Sequence, residues 1–187
     1  CRNMRFMGLH TPGGFAEHVA VPARNCYRLE PTIPFETASL AEPFAVAVHV
    51  VNNSPIGVDD SVLIVGCGVI GSMIAQVGRL RTSGKIIVAD IIDSRLDSAK
   101  KLGADITINS KKEDVSEEVS KLTEGRGVDV SIEVVGIQTT VQQAVTSTKK
   151  GGTIIAVGLL ERAMEIDMMR VVSNELKLHG SYIYNDH

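Results

Sequence analysis

The stretch "SVLIVGCGVIGSMIAQVGR", residues 61–79, decides how this chain is read. Val62–Val65 is a short, β-branched apolar run of the kind that fills a buried strand. From Val69 onward the apolar residues fall at helical spacing. Between the two lie Gly66, Gly68 and Gly71, in the pattern G-x-G-x-x-G. The order strand, glycine turn, helix suits a dinucleotide. Gly66 permits a tight turn out of the strand, Gly68 lets bare backbone approach a pyrophosphate, and Gly71 lets the helix lie close on the strand. The free N–H groups and positive end of the helix then face the phosphates. The same glycines also suit a plain βα connection, so a second signal has to separate the two readings.

That signal is an acid about 20 residues downstream, at the end of the next strand. Asp90 stands there, closing "KIIVAD" 19 residues after Gly71. A carboxylate at this point accepts both hydroxyls of an adenosine ribose and repels a 2′-phosphate, which favours NAD over NADP. Ile91 and Ile92 follow it, with no adjacent cation for such a phosphate; Arg95, on the next helix, would flank the adenosine.

The rest of residues 61–187 repeats the same alternation. Strands are expected at Val62–Val65, Ile86–Ala89, Ile106–Ile108, Val128–Glu133, Thr153–Val157 and Lys177–Tyr182. Helices are expected at roughly 69–81, 94–102, 113–123, 138–148 and 167–175. Six strands alternating with helices predict an α/β fold, a doubly wound, parallel Rossmann sheet covered on both faces. The charged run "KKEDVSEEVSK" (111–121) reads as the solvated face of a surface helix.

The first 53 residues differ. "GGFAEHVAVPA" (13–23) alternates and reads as a strand ending at Pro22, with "CYRLE" as a second short strand. "PFETASLAEP" and "PFAVAVHVVNNS" read as two helical segments, Pro43 suiting a first helical position. The division expected is 1–53 and 54–187.

Composition bounds the function. A net charge of −3 gives no electrostatic case for nucleic acid or an anionic membrane surface. No apolar run reaches membrane-spanning length, and the first residues lack the apolar core of a secretory signal. Three scattered cysteines, Cys1, Cys26 and Cys67, make no disulfide framework, which points to the cytoplasm. With 4% aromatics and no Trp, the core must come from Val, Ile, Leu and Ala, as in buried parallel strands.

These segments together resemble the zinc-dependent medium-chain dehydrogenases, the alcohol and polyol dehydrogenases. "GGFAEHVAVPA" is similar to the strand leading out of that family's GroES-like catalytic domain, and "ASLAEPFAVAVHVV" to its connecting helix. "VLIVGCGVIGSMIAQVGR", "VADIIDSRLDSAKKLGAD", "GVDVSIEVVG", "GGTIIAVGL" and "ELKLHGSYIY" follow the order of its cofactor domain. "AEPFAVAVH" and "KLHGSYIYND" resemble the sorbitol, threonine and butanediol dehydrogenase branch. The resemblance implies NAD, a small alcohol or polyol substrate, and zinc in the intact enzyme. It also implies a homodimer or homotetramer through the sixth strand. The family's Gly-His-Glu motif does not occur here, so the resemblance implies a cofactor-binding half that turns nothing over alone and holds no catalytic residue of its own.

The candidate cofactor residues are Gly66, Gly68, Val69, Ile70, Gly71, Asp90 and Arg95 at the adenosine and pyrophosphate end. At the nicotinamide end, ends of parallel strands and the resemblance together indicate Val135, Val157, Gly158, Leu159 and Ser181. Plain turn packing is the alternative for these, because main-chain contacts leave no residue signature. The resemblance makes Glu42 a zinc ligand of the intact enzyme; by itself it reads equally as a carboxylate favoured at a helix N-terminus. His49 reads as a packed or surface residue; the resemblance implies that Cys1 is the last of the four ligands of the family's structural zinc loop. Cys67 reads as a small turn residue rather than a reactive thiol, since no base accompanies it. Two other functions remain open: a zinc-free, NADPH-dependent quinone-reductase-like enzyme of the same superfamily, and a non-catalytic NAD-sensing module.

Overall fold

The computed structural model describes residues 5–159 and 162–184. The chain forms two compact units, Cys1–Ser39 and Leu40–His187.

In the first unit the expected strands at 13–22 and 26–30 do not form. Its described elements are one isolated bridge, Met7 to Thr11, a 3-10 turn at Ala23–Asn25 and the short helix α1, Phe35–Ala38. Alternation alone does not make a strand, because each N–H and C=O of a strand must find a neighbouring chain. Here Phe15 is fully exposed, and Val19, Val21 and Tyr27 are exposed as well. The expected role of Cys1 lies outside the described residues.

The second unit begins with α2, Ala41–Asn53, in which Pro43 is the third residue rather than the first. Proline is tolerated there because the first-turn N–H groups have no intrahelical acceptor. Ser54, in extended conformation, ends the helix ahead of Pro55. Then follow β1 Val62–Val65, α3 Val69–Arg79, β2 Ile86–Asp90, α4 Asp93–Lys101 and β3 Ile106–Asn109. The remainder is α5 Val115–Leu122, β4 Val128–Glu133, α6 Gln138–Ser147, β5 Thr148–Ala156, α7 Met168–Ser173 and β6 Lys177–Gly180. The strands form one six-stranded sheet, all neighbours parallel, in the order β3-β2-β1-β4-β5-β6. That is the doubly wound Rossmann arrangement expected from the sequence.

Both faces of the sheet are covered, and the two-residue period of the strands divides the core. Val62, Ile64, Val88, Val130 and Ile132 pack under α2, α3 and α4 through Ala47, Val50, Ile74 and Leu96. Leu63, Val65, Ile87, Ala89 and Ile154 pack under α5, α6 and α7 through Val119, Val145 and Val171. In α5 the charged run behaves as its spacing predicts: Val115 and Val119 are buried, and the Asp114 carboxylate caps the helix from Glu117 N at 2.9 Å.

One strand boundary moves substantially. β5 starts at Thr148, not Thr153, taking in Lys149-Lys150-Gly151-Gly152. Thr148 pairs with Val128 across an irregularity in the β4 register. The pairing is tertiary, so the polar, glycine-rich sequence gives no local sign of it. β6 ends at Gly180, two residues before the expected Tyr182, and its four residues are exposed.

Candidate functional site

In an open parallel sheet the crevice for a ligand lies outside the carboxyl ends of the strands, where the strand order reverses. Here the order reverses between β1 and β4. The glycine turn leaves β1 on one side of that point and Val134–Gly136 leave β4 on the other. Val69, Ile91, Ile92, Val135, Ile137 and Leu159, all at this end of the sheet, are exposed. Exposed apolar side chains gathered around polar backbone suit the walls of a binding crevice.

The three glycines of the turn have three different reasons. Gly66 has φ +101°, open to glycine and strained for other residues, and a Cβ there would run into Val135 Cγ2. Gly71 is buried, and a Cβ there would run into the Gly66 carbonyl oxygen. Gly68 is different. Its φ of −74° suits any residue, and a Cβ would meet nothing within 4 Å. Nothing in the chain itself requires glycine at 68, so the open space above it fits a ligand that approaches the backbone. Gly68 is the N-cap of α3 and no side chain caps it, leaving the first N–H groups of the helix for an anion. Val69 faces outward, whereas the Ile70 side chain packs on the core, so only its backbone serves the turn.

Asp90 is buried at the end of β2. Its Oδ2 accepts from Cys67 N at 2.7 Å and its Oδ1 from Ile92 N at 2.9 Å. The carboxylate therefore ties the glycine turn to the β2 end, while Arg95 Nη1 stands 3.7 Å from Oδ2. Each carboxylate oxygen accepts more than one hydrogen bond, so this tie leaves acceptor capacity for ribose hydroxyls. Next to it, Asp93 accepts from Lys112 Nζ at 2.8 Å and Asn109 Nδ2 at 2.6 Å. These hydrogen bonds, Lys112 foremost, hold the Asp93 carboxyl below the usual carboxylate range. Cys67 is a buried turn residue whose thiol is pushed up to about 11, first by burial and then by the Asp90 carboxylate, with Arg95 opposing.

The other wall is organised by a residue that the sequence did not single out. Glu133, at the end of β4, is 1% exposed. Its Oε1 accepts from Val135 N and Gly136 N, each at 2.8 Å, and from Thr140 Oγ1 at 2.7 Å. Its backbone carbonyl accepts from Val157 N at 2.8 Å and Gly158 N at 3.1 Å. Oε2 is buried without a partner. A glutamate at a strand end looks like a solvated terminus in sequence, and its partners here are mostly backbone. Beside it, Gly158 and Gly136 touch backbone to backbone; a Cβ on Gly136 would lie 2.7 Å from Leu159 O. Gln138 fixes the loop after β5, donating to Glu165 O at 2.7 Å and accepting from Glu165 N at 2.8 Å. A cavity of about 500 Å³ opens between Val135, Ile137, Leu159, Arg162 and Met164. Ser181, just past β6, donates its N–H to Ala156 O at 2.9 Å; its hydroxyl is buried without a partner.

Among the described residues no three His, Cys, Asp or Glu side chains gather where a metal could bind. Glu42 lies exposed in the first turn of α2, and His49 Nε2 is 2.9 Å from the Asn53 side-chain nitrogen. No helix among the described residues is long and apolar enough to cross a membrane.

Comparison with known proteins agrees with this geometry. A profile of the zinc-binding dehydrogenase family matches residues 69–187. An L-threonine 3-dehydrogenase of Symbiobacterium thermophilum is 39% identical over 96% of this chain and 51% of its own length. A zinc-binding dehydrogenase of Sinorhizobium meliloti, solved bound to NADP, is 34% identical with a TM-score of 0.90, over 98% of this chain and 55% of that one. An alcohol dehydrogenase of Escherichia coli solved with NADH is 29% identical with a TM-score of 0.91, over 100% and 55%. The chain belongs to the zinc-binding dehydrogenase family and forms its Rossmann-type dinucleotide-binding domain. It spans about half the length of the curated relatives it matches.

Proposed function

We propose that this chain serves an enzyme that moves hydride between a secondary alcohol or polyol and NAD. Residues 1–53 belong to its catalytic domain and connecting helix, and 54–187 to its cofactor domain. The observation that carries the reading is the crevice at the strand-order reversal, where the open backbone at Gly68 and the buried Asp90 carboxylate meet. The pyrophosphate lies over Gly66, Gly68, Val69, Ile70 and Gly71 at the head of α3. Asp90 takes the ribose hydroxyls, with Arg95 alongside. The nicotinamide lies against Val135 and Val157–Leu159, near Ser181, where the sheet sets the reactive carbon toward substrate.

NAD rather than NADP follows from charge. A 2′-phosphate would face the Asp90 carboxylate, while Arg95 is engaged with Asp90 and Lys112 with Asp93. Relatives that act on threonine and idonate support an alcohol or polyol as substrate. Glu42 is one donor to the zinc of the whole enzyme and makes no metal site alone. The exposed β6 edge pairs with a second copy, giving a homodimer or homotetramer. Cytoplasmic location fits the scattered cysteines, and neither nucleic acid nor membrane is a partner.

Titration of the 187-residue chain with NAD and NADP tests this. NAD is expected to bind at least about tenfold more tightly, because like-charge contact is costly. Tighter NADP binding overturns the reading; steady NADH formation from a polyol by this chain alone would overturn only the expectation that these 187 residues turn nothing over by themselves.

A further inference from the structure

We propose that Glu133 is a positioning residue for the nicotinamide end of the cofactor; the inference rests on the cofactor site proposed above. A buried carboxylate is expensive unless hydrogen bonds compensate it, and among the described residues no cation pairs with Glu133. What compensates it is the backbone of the crevice wall. Through Oε1 it holds the N–H groups of Val135 and Gly136 and the hydroxyl of Thr140 in the first turn of α6. Through its carbonyl it holds Val157 and Gly158 at the end of β5. One residue thus joins β4, β5 and α6, and the segments it joins are those against which the nicotinamide lies.

The link reaches the glycine turn. Val135, whose N–H is fixed by Glu133, is the residue that a Cβ on Gly66 would strike. Val135 is itself exposed to the crevice, whereas Glu133 is not. Without the Oε1 acceptor, the Val135 and Gly136 N–H groups turn toward other partners and the wall moves, leaving Asp90 and its contacts in place. The nicotinamide end then loses affinity and the adenosine end does not.

The test compares NAD with ADP-ribose, which lacks the nicotinamide, by calorimetric titration of the full chain. Glu133→Met keeps a similar unbranched side-chain length and removes the acceptor. It is expected to weaken NAD about tenfold, the scale of unpaired buried donors. ADP-ribose affinity is expected to stay within about twofold. Glu133→Gln retains a carbonyl oxygen for the same three donors and is expected to restore NAD binding. Thr140→Val, which leaves Glu133 in place but removes one of its donors, is expected to weaken NAD in the same direction by about threefold. If Glu133→Met fails to fold, the Glu133→Gln and Thr140→Val variants still decide. Equal losses of NAD and ADP-ribose in Glu133→Met or Thr140→Val, or NAD binding unchanged in both of them, overturn the inference. A wild-type chain that binds neither ligand instead overturns the cofactor reading on which it rests.

Discussion

The two halves of the sheet each end in a buried carboxylate, and the two carboxylates solve the same problem differently. Asp90, closing β2, accepts from Cys67 N and Ile92 N and has Arg95 beside it. Glu133, closing β4, places three hydrogen bonds on one oxygen, leaves the other bare and has no cation among the described residues. Asp90 therefore keeps acceptor capacity and charge compensation toward the crevice, as a group that meets a ligand should. Glu133 faces inward and, through Oε1, holds two backbone N–H groups and the Thr140 hydroxyl, as a group that shapes a wall should. Buried carboxylates at strand ends are thus not interchangeable marks of a ligand contact.

The largest test of this contrast strikes what the halves share. Gly71→Ala drives a methyl into the Gly66 carbonyl, and Gly66 in turn abuts Val135, so both walls are disturbed. Destabilisation of about 2–4 kcal/mol is expected from overpacking against backbone. Thermal denaturation reads it as a fall of at least about 5 °C, with NAD and ADP-ribose binding both lost. A variant that melts like the wild type would show that the turn is not as tightly built as its contacts imply.

A smaller effect separates the halves. Asp90→Ala leaves the Cys67 and Ile92 N–H groups without their acceptor, a cost of about 1–3 kcal/mol in stability. NAD and ADP-ribose should weaken together, by about tenfold or more, since the contact proposed for Asp90 is to the ribose they share. If NAD weakened alone, Asp90 would act as Glu133 is proposed to act and the contrast would collapse.

What could be read in the sequence follows the same division. Gly66 and Gly71 are legible because a positive φ and a backbone contact leave room for no other residue, and Asp90 because its place after the turn is fixed by the βαβ unit. The buried strand β1 is legible because both its faces are covered, so it reads as an unbroken apolar run. Glu133 is not legible, because its partners at 135 and 136 are N–H groups that every residue but proline carries. The start of β5 is hidden for a related reason: Lys149 to Gly152 join the sheet through a pairing set by Val128, not by their own preference. The first 34 residues mislead in the opposite sense. Phe15, Val19 and Val21 alternate as a strand would, but among the described residues no strand forms there.

The smallest expected effect concerns the group that sits between turn and carboxylate. Burial, then the neighbouring Asp90 charge, raises the Cys67 thiol to about 11, against Arg95. A thiol raised on folding stabilises the fold fully at pH values below its ordinary 9.0, and that contribution is lost as pH climbs from there through about 11. Neutral-pH stability should therefore be insensitive to this titration, and the alkaline limb of a pH-dependent melt should flatten in Cys67→Ala. A neutral-pH thiol reagent provides the kinetic counterpart: exposed Cys26 should be labelled while buried Cys67 resists until the chain unfolds. Rapid labelling of native Cys67 near pH 7 would mean that the turn opens readily. The tie from Cys67 N to Asp90 would then be too loose to hold the adenosine wall in the way the Glu133 contacts hold the other.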